Sequence, residues 1–305
     1  GSPLVLLRGA TGHALGASSG RWVTKAPMPT PRTEVAVAIL DGKIYVVGGF
    51  GGPGGLVEVY TPATDRWTTV SPMPEALHHT TATAAGERLY VIGGYSSGWK
   101  PVGSVLEYDP VTDRWRKLSP MPTARGALGA AEIDGKIYAV GGVAPDGRPN
   151  SDANEVYDPA SDRWSPLAPL PTPRDHLALV AWERRLYAIG GRVGGNYARN
   201  LPDNEVYDPI GNRWTRRRPM PTARSGVAGV ALAGRVFVFG GEEPRGTFNT
   251  AEAYEAGAAR WIGLAPMPTA RHGLGAAVFG ETIYVIGGGP RPGGSYSSAN
   301  EAFIP

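Results

Sequence analysis

Six tryptophans, Trp22, Trp67, Trp115, Trp164, Trp214 and Trp261, each follow an arginine. Each stands 26 residues before the first glycine of a Gly-Gly pair, at Gly48, Gly93, Gly141, Gly190, Gly240 and Gly287. An interval that does not vary over six occurrences means that the chain repeats one supersecondary unit. Within a unit, Pro27-Met28-Pro29 and its counterparts form a crossover. A run of small and β-branched residues, a turn such as Asp41-Gly42 and Lys43-Ile44-Tyr45-Val46-Val47 then read as a hairpin ending at the glycines. A third strand such as Asn154-Glu155-Val156-Tyr157 and a fourth opened by Arg163-Trp164 complete the unit.

The 44 glycines and 29 prolines, 73 of 305 residues, interrupt every stretch long enough for an apolar period of 3.6, so the expected class is all-β with few or no helices. A hydrophobic fraction of 42% with 8 Trp and 13 Tyr supplies a core, and a net charge of +3 does not oppose compaction. The absence of cysteine excludes disulfides, Cys-ligated zinc, iron–sulfur clusters and thiol catalysis, and leaves the compartment open. Leu4-Val5-Leu6-Leu7 falls far short of the roughly 20 apolar residues of a membrane span, and no dense basic patch points to nucleic acid. Gly1-Ser2 reads as a cloning remnant, residues 1–20 as remnant plus linker and residues 21–305 as one domain.

A four-strand unit of roughly 50 residues with paired glycines, Tyr and Trp resembles a kelch blade. The resemblance covers residues 21–305 and implies a six-bladed β-propeller around a central channel, expected to be monomeric as an isolated domain. The last unit lacks a Trp strand, whereas Arg21-Trp22 precede the first full unit, so the N-terminal strand is expected to complete the sixth blade beside the C-terminal one. The repeated tryptophans, the second-strand aromatics Tyr45, Tyr90, Tyr138, Tyr187, Phe237 and Tyr284, and the glycine pairs are assigned to blade packing.

Gly-Gly to the next Trp varies as 19, 22, 23, 24 and 21 residues, while the third-strand Tyr to Trp is constant at 7. The variable loop joins strands two and three, at the same end as the crossover into strand one, and that end is the candidate mouth. Ten residues after each Trp stand Arg32, Leu77, Arg125, Arg174, Arg224 and Arg271, whose five guanidinium groups could ring the channel opening and take a carboxylate, phosphate or sulfate. They could equally hydrogen-bond crossover carbonyls or pair with the third-strand Glu58, Glu155, Glu205, Glu252 and Glu301; the second blade lacks both, with Leu77 and Leu106. In kelch substrate adaptors of ubiquitin ligases, arginines here and an aromatic after the glycine pair form an acidic-peptide pocket. That position holds Phe50 and Tyr95 in this chain, but Arg192 and Glu242 in two other blades.

His78, His79, His176 and His272 lie one or two residues beyond the ring position, beside Glu34 and Asp175, as metal-ligand or acid/base types. Alternation along a strand should keep them from all converging. Trp99, with Tyr95, Tyr197, Phe248 and Tyr296, offers aromatic anchors for a peptide or sugar, whereas Trp182 falls near a turn on the opposite face. The glycine-rich Leu6–Gly16 stretch lacks the helix and strand a dinucleotide fold needs, and Arg216-Arg217-Arg218 falls on an outer strand. The leading expectation is a non-catalytic module that binds an anionic ligand or an acidic peptide or protein segment at its mouth, with no metal and no cofactor assigned. The alternatives are an enzyme on an acidic sugar, similar to sialate-epimerase kelch enzymes, and a scaffold module.

Overall fold

The computed structural model describes residues 19–305, and six four-stranded antiparallel sheets recur in it. The linker reading, the glycine-rich Leu6–Gly16 stretch and His13 lie outside the described residues. The first sheet runs Ala36–Leu40, Lys43–Val47, Val57–Thr61 and Arg66–Thr69, in that spatial order. The inner strands of the next five are Thr81–Ala85, Gly129–Ile133, Ala178–Trp182, Ala228–Leu232 and Gly275–Phe279. Each inner strand contacts the next, and the sixth contacts the first, so the sheets are the blades of a closed six-bladed propeller. The only helical element among the described residues is the 3₁₀ turn Ser97–Trp99, too short to cross a membrane.

Closure follows the expected route. Arg21–Thr24 pairs antiparallel with Asn300–Ile304, setting Trp22 opposite Phe303, so the N-terminal strand is the fourth strand of the sixth blade.

The strands form where the local signals place them. Asp41 and Gly42, at φ +49° and +71°, make the left-handed two-residue turn that suits the strand twist. Before the turn, Ala36, Ala38 and Leu40 pack toward the second blade and Val37 and Ile39 toward the sixth, the alternation of a strand packed on both faces. Second strands are the most deeply buried; Ile44, Val46 and Val47 are fully enclosed. The cores therefore lie between blades, one apolar cluster per junction.

Repeated aromatics tie these junctions together. Each of the six tryptophans donates its indole N–H to a crossover carbonyl of the neighbouring blade at 2.8–3.0 Å, as Trp67 does to Ala26. Each also packs against the third-strand aromatic of its own blade, with ring centroids 4.9–5.3 Å apart. The glycine pairs serve the same junctions: a Cβ on Gly48, at φ +62°, would lie 2.4 Å from the Leu77 carbonyl oxygen of the next blade. Gly49 N–H donates to that same oxygen at 3.0 Å.

Tyr157 donates its hydroxyl to Asp162 Oδ1 at 2.7 Å, and that oxygen also accepts the Ser119 N–H at 2.9 Å, linking the third blade's outer turn to the preceding blade. Replacing Tyr157 by Phe should cost about 1.5–3 kcal/mol, the usual worth of a hydrogen bond to a charged acceptor. Urea unfolding measures it, and an unmoved midpoint would mean that water replaces the bond.

Candidate mouth cavity

The ring arginines come first, because their placement corrects the leading expectation. Arg32, Arg125, Arg174, Arg224 and Arg271 are fully buried inside their own blades and do not open on the mouth. Each pairs with the third-strand glutamate of its blade at 2.6–2.9 Å: Glu58, Glu155, Glu205, Glu252 and Glu301. Further guanidinium N–H groups go to backbone carbonyls; Arg125, for example, donates to the Gly141, Ala153 and Ala139 oxygens. A threonine two residues before each arginine holds the other carboxylate oxygen, as Thr123 does on Glu155 at 2.7 Å. These are latches that fasten strand one of a blade to strand three. The second blade dispenses with the latch and buries Leu77 and Leu106 instead.

The mouth is built from the next two residues of each inner strand. Thr33, His78, Gly126, Asp175, Ser225 and His272 bridge through their backbones to Phe50, Tyr95, Val143, Arg192, Glu242 and Gly289, the residues after the glycine pairs. One step further, Glu34, His79, Ala127, His176, Gly226 and Gly273 all adopt φ between +49° and +66°. Their amides form a closed ring about the axis, each N–H donating to the carbonyl of the preceding blade's residue at 2.7–3.3 Å. This left-handed step breaks strand alternation, which is why adjacent residues converge here against expectation: His78 and His79 bring their Nδ1 atoms to 2.7 Å.

One cavity of about 600 Å³ opens above the ring. Phe50, Tyr95 and Trp99 form an aromatic corner with ring centroids 5.3–5.7 Å apart along their contacts, and His78 packs behind Phe50 at 4.0 Å. Trp99, 58% exposed, is the open edge of that corner. His79 packs against the corner itself, and the rest of the polar lining is Glu34, His176, Arg192, Glu242 and His272. Of the residues assigned to the mouth from sequence, the five latched arginines, Phe248 and Tyr296 fall outside the cavity lining; His78 and Asp175 support the lining from behind. Tyr197 lines the cavity.

The polar side is densely cross-linked. Arg192 donates to Glu242 Oε1 at 2.6 Å, Asp175 Oδ1 at 3.3 Å and His176 Nε2 at 2.8 Å. A guanidinium can only donate, so His176 Nε2 carries the lone pair and its Nδ1–H is directed at Asp175 Oδ1. Burial works against the Asp175 carboxylate, but His176, Arg192 and the Gly195 N–H hold it below the ordinary range. Burial pushes His78 down to about 4 and His79 down to about 3, so both imidazoles are uncharged at neutral pH.

Sequence reasoning missed Arg148 and Asn150 of the third-blade loop. Arg148 lines the rim, and the buried Asn150 amide binds Asp175 Oδ2. The loop's variable length marked it as mouth-forming; nothing local marked which of its residues turn inward.

Comparison with known proteins agrees with the blade count. The family model described as KLHDC2/KLHL20/DRC7 Kelch-repeats domain matches residues 57–241 and 128–303, and the Kelch motif model matches residues 31–74. No curated protein matches the chain. A solved structure titled "Structure of YjhT" superposes with a TM-score of 0.79 at 18% identity, covering 91% of this chain and 96% of that one, a likeness of fold. With a family model spanning most of its length and six four-stranded blades, five of them latched, the chain belongs to the kelch-repeat family.

Proposed function

We propose that the mouth cavity binds a neutral hydroxylated ring of monosaccharide size and holds it without proton transfer. Kelch propellers serve as binding modules, scaffolds and enzymes, so the ligand must be argued from the site itself. The observation that carries the reading is one cavity of about 600 Å³ with the three-ring aromatic corner on one side and a charged wall on the other. That volume is ordinary for a small-ligand site. A sugar ring offers an apolar C–H face to Phe50 and Trp99 and hydroxyl groups, both donor and acceptor, to the opposite wall.

Charge speaks against an anion. The lining carboxylates Glu34 and Glu242 balance the lining guanidinium groups of Arg148 and Arg192. Arg192 is spent on Glu242 and Asp175, and Arg148 on Asp146 and Asp152. Among the imidazoles, His176 has both nitrogens committed, between Asp175 and Arg192, and His78 and His79 bond each other through Nδ1, which leaves these three poorly placed as general bases.

Trp99 provides the test. Its emission should change saturably as a neutral monosaccharide is titrated, and Trp99→Ala should weaken binding at least about tenfold, the worth of a well-packed aromatic anchor. Binding confined to a sialic or uronic acid, or to an acidic peptide, would replace the neutral-ring reading. Turnover of any of these would replace the binding-only reading.

A further inference from the structure

We propose that Glu34, Glu242 and His272 form a binding site for one divalent transition-metal ion, of the Zn²⁺ or Mn²⁺ type, at the floor of the mouth cavity. Three consecutive blades converge on it. Glu34 follows the first blade's latch arginine, Glu242 the fifth blade's glycine pair, and His272 the sixth blade's latch arginine. All three side chains line the cavity, so an ion has a path in.

The decisive atom is His272 Nδ1. The side chain is 1% exposed, and Nε2 lies 3.0 Å from the Arg291 carbonyl oxygen. A carbonyl only accepts, so Nε2 carries a proton and Nδ1 is the atom turned to the cavity. Nδ1 stands 3.2 Å from Glu34 Oε1 and 3.6 Å from Glu242 Oε2 but is aligned for a hydrogen bond with neither, leaving a buried polar atom that is poorly satisfied. An imidazolium retained only for charge balance would be expected to hydrogen-bond one of the two carboxylates.

The spacing fits coordination instead. Metal–ligand bonds of about 2.0–2.2 Å place neighbouring donors of a tetrahedron or octahedron about 3.0–3.5 Å apart. The donor atoms of Glu34, Glu242 and His272 all lie within 4.8 Å of one another.

Outer contacts are already in place. The Arg291 carbonyl orients the imidazole, while Arg192 and the Gly293 N–H hold the two oxygens of Glu242. One imidazole with two carboxylates favours Zn²⁺ or Mn²⁺ over the all-oxygen preference of Mg²⁺ and Ca²⁺. The neighbouring set Glu34, His79 and His176 is the poorer candidate, since His176 has both nitrogens engaged and His79 gives Nδ1 to His78.

The test uses metal alone and is independent of any sugar. Chelator-stripped protein should take up about one equivalent of Zn²⁺ or Mn²⁺ in a calorimetric titration. Glu34→Gln and His272→Ala should each weaken uptake at least about tenfold, the scale on which even outer-sphere losses act, while Trp99→Ala retains it. Absence of saturable uptake by the wild type, or wild-type affinity in both ligand variants, overturns the proposal. Should the variants not fold, anomalous scattering from Zn²⁺-soaked wild-type crystals decides: a peak about 2.0–2.2 Å from His272 Nδ1 supports the site, and a peak elsewhere or none overturns it.

Discussion

Deletion of residues 21–26 should destabilise the propeller by about 3–5 kcal/mol, the cost of removing a large aromatic from a core, and lower its melting temperature by roughly 10 °C on the usual scaling for a chain of this size. The strand lost is the fourth strand of the sixth blade, and its Trp22 carries three separate contacts. Trp22 donates its indole N–H to the Ala265 carbonyl at 2.8 Å, and it packs on Phe303 and Phe239 at 5.0 and 5.6 Å. Beyond the strand, Lys25 N–H closes on the Asn300 carbonyl at 2.9 Å. Without these residues Asn300–Ile304 becomes a free edge, a template for pairing with another chain. Concentration-dependent oligomers should therefore accompany the lower melting point. Trp22→Ala, which keeps the backbone ladder, should lose part of the stability but stay free of oligomers. An unchanged melting temperature after the deletion would mean that the ring does not depend on this closure.

How much of this was legible depends on how far each feature is local. The Trp-to-Gly-Gly interval of 26 residues was enough for blade number, strand order, closure and the packing role of the tryptophans, because each is enforced identically in every repeat. The arginines were harder to read. Position in an inner strand says that Arg125 begins near the axis, but not that its side chain runs back into its own blade. The threonine two residues earlier and the glutamate of strand three were the signal: Thr123, Arg125 and Glu155 recur together in five blades and are absent together from the second, where Glu75, Leu77 and Leu106 stand. The convergence of His78 with His79 could not be seen, since alternation forbids it and only the positive φ of His79, +49°, allows it. Arg148 and Asn150 were hidden for the opposite reason, lying in an irregular loop with no period to read.

The mouth owes its character to departures from that symmetry. Six equivalent positions after the glycine pairs would make a uniform ring, but the first two blades place Phe50 and Tyr95 there and the fourth and fifth place Arg192 and Glu242. An apolar half therefore faces a charged half across the axis, and the latches, being withdrawn into the blades, leave this contrast undiluted by five further cations.

The latches themselves yield the sharpest energetic expectation. Arg125→Leu should cost about 3–5 kcal/mol, because it leaves Glu155 buried with an uncompensated charge. Gly141 and Ala139 also lose their guanidinium donor. Adding Glu155→Leu should restore most of the loss, since replacing both members of a buried pair by apolar residues is often close to neutral. The second blade is the natural template for the double variant: Leu77 and Leu106 occupy the equivalent places at 1% and 0% exposure within one apolar cluster. Recovery should be incomplete, as Thr123 would lose the carboxylate oxygen that it holds at 2.7 Å. Urea midpoints for the two single variants and the double variant complete the cycle, and a coupling of about 2 kcal/mol or more is expected for members of one ion-pair network. If the double variant instead loses the sum of the single losses, the pair contributes no mutual stabilisation and the latch reading fails. Ligand and metal uptake at the mouth should persist in the folded double variant, because Arg125 and Glu155 lie outside the cavity lining; loss of both would return the ring arginines to the binding site.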